Sequence, residues 1–141
     1  MTSKVRLGII GLGAQGSMYA KFITDGLVPN MEIGAIADRD PAKAAVVEAE
    51  YRVPFFENHL DLLDSGTVDA VVTCVPHYLH PEIGINALAH DLHALVEKPA
   101  GVYTKQVAEL NAFAATKPEL TFGIMFNQRN NPLYIKIKDI V

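Results

Sequence analysis

The stretch "RLGIIGLGAQGSMYAKF", residues 6–22, joins a short apolar run, three glycines and a segment whose apolar residues have helical spacing. The glycines are Gly11, Gly13 and Gly16, in the pattern G-x-G-x-x-G. In a strand–turn–helix unit the first glycine makes the tight turn, the second lets a pyrophosphate approach the backbone, and the third lets the helix pack closely on the strand. The pattern alone is weak evidence, because a tight turn without a ligand has the same glycines.

An acidic residue after the next apolar run strengthens the ligand-binding interpretation. The stretch "IGAIADRDP" places Asp38 22 residues after Gly16, close to the roughly 20 at which an acid bonds the adenosine ribose of a dinucleotide. Asp38 has an alternative role as a turn cap beside Arg39 and Asp40. The order of strand, glycines and acid favours a dinucleotide site.

Apolar runs and helix-like segments alternate along the whole chain, which predicts an α/β fold with a doubly wound parallel (Rossmann) sheet of order 3-2-1-4-5-6. Strands are predicted over residues 5–10, 31–37, 54–56, 70–75, 93–96 and 120–126. Helices are predicted over residues 14–25, 41–50, 59–65, 81–90 and 105–116. Asp40 before Pro41 and Thr104 before residue 105 are predicted helix N-caps.

Composition narrows the class of protein. The 141 residues are 50% hydrophobic, enough for the core of one domain, and 12 basic against 16 acidic residues give a net charge of −4. Because no cluster of basic residues occurs, we expect no nucleic-acid partner. The single cysteine, Cys74, excludes disulfides within the chain and favours a cytoplasmic protein, and the histidines lack the spacing of metal ligands. No apolar run approaches the roughly 18 residues that span a membrane, so we expect a soluble protein without a membrane partner.

The stretch "LVEKPAG", residues 95–101, distinguishes between the enzymes that use a glycine turn. A Walker loop is excluded because no Gly-Lys-Ser/Thr follows the glycines, but a methyltransferase is not. Glu97 and Lys98 follow a strand, so they should face the same crevice as the glycines, where a lysine can polarise an oxygen or relay a proton. A solvated ion pair is the alternative from spacing alone. The Lys98–Pro99 bond is predicted to be cis.

Four stretches together, "GIIGLGAQG", "ADRDP", "CVPHYLHPEIGINALAHDLHALVEKPAG" and "FNQRNNPLY", resemble the N-terminal half of the Gfo/Idh/MocA oxidoreductases. The resemblance implies Lys98 as the catalytic residue, reaching toward a substrate hydroxyl. It implies a cofactor site made of Gly11, Gly13, Ala14, Gln15, Gly16, Asp38, Arg39, Val75, Pro76, His80, Glu97, Lys98, Gln128 and Arg129. His77 departs from the family pattern, which has Asn or a small residue there.

The resemblance also implies a function and a missing part. Residues 1–130 are the expected dinucleotide-binding domain, and residues 131–141 the expected start of a crossover helix to an absent substrate domain. The implied activity is hydride transfer between NAD and a secondary alcohol of a sugar, polyol or related compound, in a homo-oligomer, with this part alone inactive. NADP is a possible cofactor, but Asp38 would repel its 2′-phosphate by roughly 4 kcal/mol at 4 Å and a dielectric of 20. The alternative is a non-catalytic dinucleotide sensor or binding module, which would have no use for Lys98.

Overall fold

Six parallel strands form one sheet in the computed structural model, which describes residues 4–140. The strands are β1 Val5–Ile10, β2 Met31–Ala37, β3 Phe55–Phe56, β4 Ala70–Thr73, β5 His93–Glu97 and β6 Phe122–Met125. Their order is β3-β2-β1-β4-β5-β6, and all neighbouring pairs are parallel, which confirms the predicted topology. The bounds of β1 and β2 are those predicted, whereas β4 and β6 are shorter than predicted.

Helices cover both faces of this sheet. They are α1 Ala14–Thr24, α2 Ala44–Val46, α3 His59–Asp64, α4 His80–Ala89, α5 Thr104–Ala115 and α6 Pro132–Ile140. The helix expected to start within residues 131–141 is therefore present as α6, and Val141 lies outside the described residues. No helix between residues 4 and 140 is long and apolar enough to cross a membrane.

The prediction of one regular helix over residues 41–50 is wrong, because the segment contains three different helical turns. Asp40 caps the segment as predicted, because its Oδ1 accepts a hydrogen bond from the Ala42 N–H at 3.0 Å. The chain then makes a 3-10 turn at Pro41–Lys43, passes through α2, and widens into a π-helical turn at Val47–Tyr51. Val47 is fully buried, and Arg52 ends the turn with φ 56° in the left-handed region. The turn widens where Val47 enters the core, a packing effect that helical spacing does not encode.

Thr104 is not the N-cap that we predicted. It is the first residue of α5, Tyr103 occupies the N-cap position, and no side chain caps the helix. The error is one residue in the position of the helix start, which local propensity does not fix.

Two apolar cores hold the helices on the sheet. One face packs against α3, α4 and α5 through buried residues that include Leu62, Leu88 and Leu110. The other packs against α1 and the π-helical turn through Ala20 and Val47. Because the chain runs from β1 toward one sheet edge and from β4 toward the other, a crevice is left where these two strands end, the usual ligand position in such sheets.

Candidate functional site

A cleft of about 560 Å³ opens at the carboxyl ends of β1, β2, β3 and β4. It is lined by Ile10, Gly11, Gly13, Ala37, Asp38, Arg39, Lys43, Glu57, Asn58, His59, Cys74, Val75, Pro76, Leu79, Glu82 and Ile83. The structure thus brings together six of the predicted cofactor residues, which are Gly11, Gly13, Asp38, Arg39, Val75 and Pro76.

The three glycines of the opening stretch differ in what the folded chain requires of them. Gly11 has φ 94°, and a Cβ there would lie 2.4 Å from the Cys74 carbonyl oxygen. A Cβ on Gly16 would lie 1.9 Å from the Gly11 carbonyl oxygen. A Cβ on Gly13 would meet nothing within 4 Å, and the backbone of Gly13 is extended, with φ −80°. The fold therefore explains Gly11 and Gly16 but gives no packing reason for Gly13.

The amino end of α1 presents free backbone donors beside this open space. Gly13 is the N-cap of the eleven-residue helix, and no side chain caps it. The first N–H groups of a helix, here those of Ala14 and Gln15, have no partner within the helix and carry partial positive charge. A phosphate fits this arrangement of donors with an open approach.

Asp38 is bonded to the glycine loop and to a lysine. Its Oδ2 accepts hydrogen bonds from the Leu12 N–H and the Lys43 ammonium, both at 2.7 Å, and its Oδ1 accepts one from the Asp40 N–H at 3.0 Å. Burial opposes ionisation of Asp38, but these donors outweigh it and hold the pKa of the carboxyl below its usual value. The carboxylate of Asp38 is thus favoured in its ionised form and held in place by residues of this chain.

Glu97 and Lys98 lie outside this cleft, at the end of β5. Glu97 is 7% exposed, and its carboxylate accepts hydrogen bonds from the Tyr19 hydroxyl and, at 3.0 Å, from the Lys98 N–H. Burial, followed by the bond to Glu97, raises the pKa of Tyr19. The Lys98 side chain is exposed, and the Lys98–Pro99 bond is cis, as predicted. A buried carboxylate and an exposed lysine side chain therefore belong to consecutive residues at this strand end.

Cys74 lies on the wall of the cleft, where the charge of Glu97 also acts on it. Burial, with a smaller contribution from the charge of Glu97, raises the pKa of its thiol to about 12. A thiol with a raised pKa is mostly protonated at neutral pH, and the protonated form is a poor nucleophile.

His80, which was predicted to lie on the cofactor path, is not among the residues that line the cleft, and that role stays a prediction. It is fully buried, with Nδ1 2.7 Å from the Pro99 carbonyl oxygen and Nε2 2.9 Å from the Val75 carbonyl oxygen. The imidazole therefore links the loops after β4 and β5 from behind the wall. A polar residue near a strand end gives no signal in sequence of whether it faces the crevice or the core.

Gln128 and Arg129 are also outside the cleft. They lie in an exposed 3-10 turn, Asn127–Asn130, where the Arg129 guanidinium lies 5.3 Å from the centre of the Phe126 ring. Arg129 lines a separate cavity beside β6. Their predicted place at the mouth of the cofactor site stays a prediction.

Several lining residues escaped the sequence analysis. Glu57, Asn58 and His59 follow β3, so the rule that ligands bind at the carboxyl ends of strands gives a signal for them. Lys43 gave none, because its position depends on the 3-10 turn after Pro41. In the part of the chain that the structure describes, no group of three or more His, Cys, Asp or Glu side chains is arranged to hold a metal ion.

Comparison with known proteins gives a consistent match. The family model for Gfo/Idh/MocA, described as an oxidoreductase family with an NAD-binding Rossmann fold, matches residues 5–123. The uncharacterized oxidoreductase YrbE of Bacillus subtilis is 30% identical over 142 residues, covering 100% of this chain and 41% of that protein. An inositol 2-dehydrogenase of Rubrobacter xylanophilus is 27% identical, covering 99% of this chain and 40% of its own length.

A solved structure agrees in fold over the same range. Scyllo-inositol dehydrogenase of Lactobacillus casei, with bound NAD(H) and scyllo-inositol, superposes with a TM-score of 0.92 at 25% identity, covering 98% of this chain and 41% of that one. The chain thus spans about two fifths of the length of the relatives that it matches.

Proposed function

Because the chain belongs to the Gfo/Idh/MocA oxidoreductases through its NAD-binding Rossmann fold, we propose that it is the cofactor-binding half of a dehydrogenase for a sugar or polyol. The reaction is hydride transfer between NAD and a secondary alcohol. Support for the substrate class comes from two relatives, one named inositol 2-dehydrogenase and one solved with scyllo-inositol.

Gly13 carries the proposal. The fold needs no glycine there, whereas the approach of a pyrophosphate to the backbone does. The phosphates would accept hydrogen bonds from the first N–H groups of α1, and the adenosine would lie against Val75 and Pro76. Asp38 would accept hydrogen bonds from the ribose hydroxyls. Its negative charge would repel the 2′-phosphate of NADP and so favour NAD, and the positive charge of Arg39 would offset part of that repulsion.

Lys98 is the proposed catalytic residue. When bound, NAD supplies the nicotinamide that accepts or returns the hydride. Lys98 would hold the proton of the substrate hydroxyl, and Glu97, fixed by Tyr19, would keep the start of the loop after β5 in position. This exposed amine favours an enzyme over a dinucleotide sensor, which has no use for it.

The chain alone should bind NAD without turning over substrate. The groups proposed to bind the phosphates and the ribose lie in the cleft or at the start of α1 beside it, whereas the wall that orients the substrate is expected in the remainder of the relatives' length. Lost orientation alone is worth roughly 7–11 kcal/mol of barrier. We place the protein in the cytoplasm, in keeping with its single cysteine. We also expect the whole protein to be a homo-oligomer.

The test compares Gly13→Ala with the unchanged chain by calorimetric titration with NAD and by thermal unfolding. We expect NAD affinity to fall by about tenfold or more, equivalent to about 1.4 kcal/mol, because the added Cβ blocks the pyrophosphate. Stability should change by less than about 1 kcal/mol, since a glycine N-cap without a side-chain bond is replaced. Lys21→Ala, at the far end of the same helix, is the control. Unchanged NAD affinity in Gly13→Ala, or no binding by the parent chain, would refute the proposal.

A second arm tests the reaction. The complete protein, with its downstream residues, is mixed with NAD and a panel of inositols and hexoses, and reduced cofactor is followed by absorbance. Turnover by the complete protein and none by the 141-residue chain is the expected result. Turnover by the chain alone at ordinary enzyme rates would show that the catalytic groups are assigned wrongly.

A further inference from the structure

We propose that Lys43 sets the selectivity of the cleft between NAD and NADP, by placing a movable positive charge beside the carboxylate that receives the ribose. The inference rests on the proposed function, since it assumes that the ribose binds at Asp38. It concerns a residue that sequence reasoning did not select.

Lys43 is held in the cleft by the turn that precedes it. Its N–H donates to the Asp40 carbonyl oxygen at 3.1 Å, in the 3-10 turn that the Asp40 side chain caps. From there its ammonium reaches back to Asp38 Oδ2 at 2.7 Å. The Lys43 side chain is 30% exposed and that of Asp38 13% exposed, so water screens this pair less than a surface pair.

The acceptor positions of Asp38 are nearly filled without a ligand. A carboxylate has about four such positions, and three are taken, by Leu12 N–H, Asp40 N–H and the Lys43 ammonium. A ribose brings two hydroxyl donors, so one existing donor must give way. The two backbone donors are fixed by the loop and the turn, whereas the lysine has a flexible four-carbon stem. Lys43 is therefore the group that moves, and its charge stays next to the ribose.

The two cofactors would respond differently to that charge. A 2′-phosphate adds about 1.5 to 2 negative charges beside Asp38, in a cleft that also contains Glu57 and Glu82. Arg39 and Lys43 are the arginine and lysine that line the cleft, and the third basic side chain there is His59, whose pKa is lowered by burial. Carboxylates already outnumber the arginine and lysine by three to two, and without Lys43 only one of these cations remains to offset the phosphate. NAD lacks the phosphate, so it needs no such compensation and only competes with Lys43 for Asp38.

The experiment measures dissociation constants of the whole chain for NAD and for NADP in parent protein and Lys43→Met. We expect the ratio of the NADP constant to the NAD constant to rise by about tenfold or more, with the NAD constant within about threefold of the parent. Lys43→Arg keeps the charge and should keep the parent ratio. The matched control is Lys117→Met, which removes a similar lysine, 26% exposed and paired with Asp91 far from the cleft.

A second measurement, made in the Asp38→Asn variant, tests Lys43 even if the parent chain binds NADP too weakly to measure. Asp38→Asn leaves an acceptor for Leu12 but removes the negative charge, and it should strengthen NADP binding. Adding Lys43→Met to Asp38→Asn should remove about tenfold or more of that affinity, because the 2′-phosphate loses a cation.

The outcomes separate the two proposals. If the parent binds NAD and Lys43→Met weakens both cofactors equally, or changes neither, Lys43 has no selective role and the inference is overturned. If Lys117→Met shifts the ratio as much as Lys43→Met, the effect is one of net charge and the inference is also overturned. If the parent binds neither nucleotide, the proposed function itself fails and takes this inference with it.

Discussion

Two regions at the carboxyl ends of the strands differ in how completely their side chains are bonded within the chain. At the ribose end, named for its proposed ligand and defined as residues 11–16 with Asp38 and Lys43, the Asp38 carboxylate accepts hydrogen bonds from three donors of the chain, and Gly13 borders open space. At the open end, defined as Lys98 with residues 126–140, the side chains are exposed except for that of Asn131, and α6 has no buried residue. The difference agrees with the proposed function, in which the ribose end binds the cofactor and the open end meets a further surface.

The largest effect should come from the open end, and on rate rather than on binding. In the complete protein, Lys98→Met should lower kcat by about 10²–10⁴-fold, the usual contribution of a positioned proton-transfer group. NAD affinity of the chain should stay within about threefold, because Lys98 does not line the cleft. Steady-state kinetics and calorimetry measure the two quantities. Lys105→Met, an exposed lysine of α5, is the control. A large loss of NAD affinity in Lys98→Met would erase the distinction between the two ends.

The ribose end should tolerate an added methyl group less well than β6, the strand that leads to the open end. Gly16→Ala forces a Cβ to within 1.9 Å of the Gly11 carbonyl oxygen, so we expect a loss of about 3 kcal/mol or more in the free energy of unfolding. Gly123→Ala on β6 is the matched control, because its nearest neighbour is Leu95 at an ordinary 3.4 Å. It should change stability by less than about 1 kcal/mol. Urea unfolding of both variants decides the matter, and equal stabilities would contradict the comparison.

Association of the chain should also depend on the open end. Leu133 and Ile137 are 64% and 45% exposed one helical turn apart on α6, and exposed apolar surface of this kind favours association. We expect the double variant Leu133→Glu, Ile137→Lys to sediment as a monomer at concentrations where the parent chain associates. Leu27→Glu replaces a leucine of similar exposure, 67%, after α1 and should leave association unchanged. A parent chain that stays monomeric at all concentrations would count against this prediction.

The smallest effect is the pH dependence of the ribose end. Since the pKa of Asp38 is lowered in the folded chain, its contribution to stability is present above the unfolded value of 3.8 and is lost as pH falls through the folded value. Between pH 5 and pH 3 the parent should therefore lose more stability than Asp38→Asn, by less than about 1 kcal/mol for one partly exposed pair. Urea unfolding at the two pH values measures this. An Asp38→Asn variant with a steeper pH dependence than the parent would reverse the sign and refute the argument.

The ribose end was also the more predictable from sequence. Gly11, Gly13, Gly16 and Asp38 lie in one strand–turn–helix–strand unit, where residue order sets position, and the structure brings three of them to the cleft wall with Gly16 behind. The strand order followed from alternation and short crossovers for the same reason.

What sequence missed depends on packing between distant segments. His80 was assigned to the cofactor path, but its imidazole is fully buried, with its two ring nitrogens within 3 Å of the carbonyl oxygens of Val75 and Pro99. Lys43 was overlooked because a regular helix over residues 41–50 gives no reason to choose it, whereas the observed 3-10 turn carries it to Asp38. Neither arrangement is encoded in spacing or composition.

Cys74 has a practical consequence for anyone who handles this protein. With a thiol pKa of about 12, it should react slowly with alkylating reagents while the chain is folded and at an ordinary thiol rate once the sheet opens. Because Cys74 is the chain's single cysteine, its rate of alkylation measures the unfolding of the chain without an engineered label. A dinucleotide that binds only the folded chain should lower this alkylation rate by the amount that it stabilises the fold, because alkylation then follows unfolding.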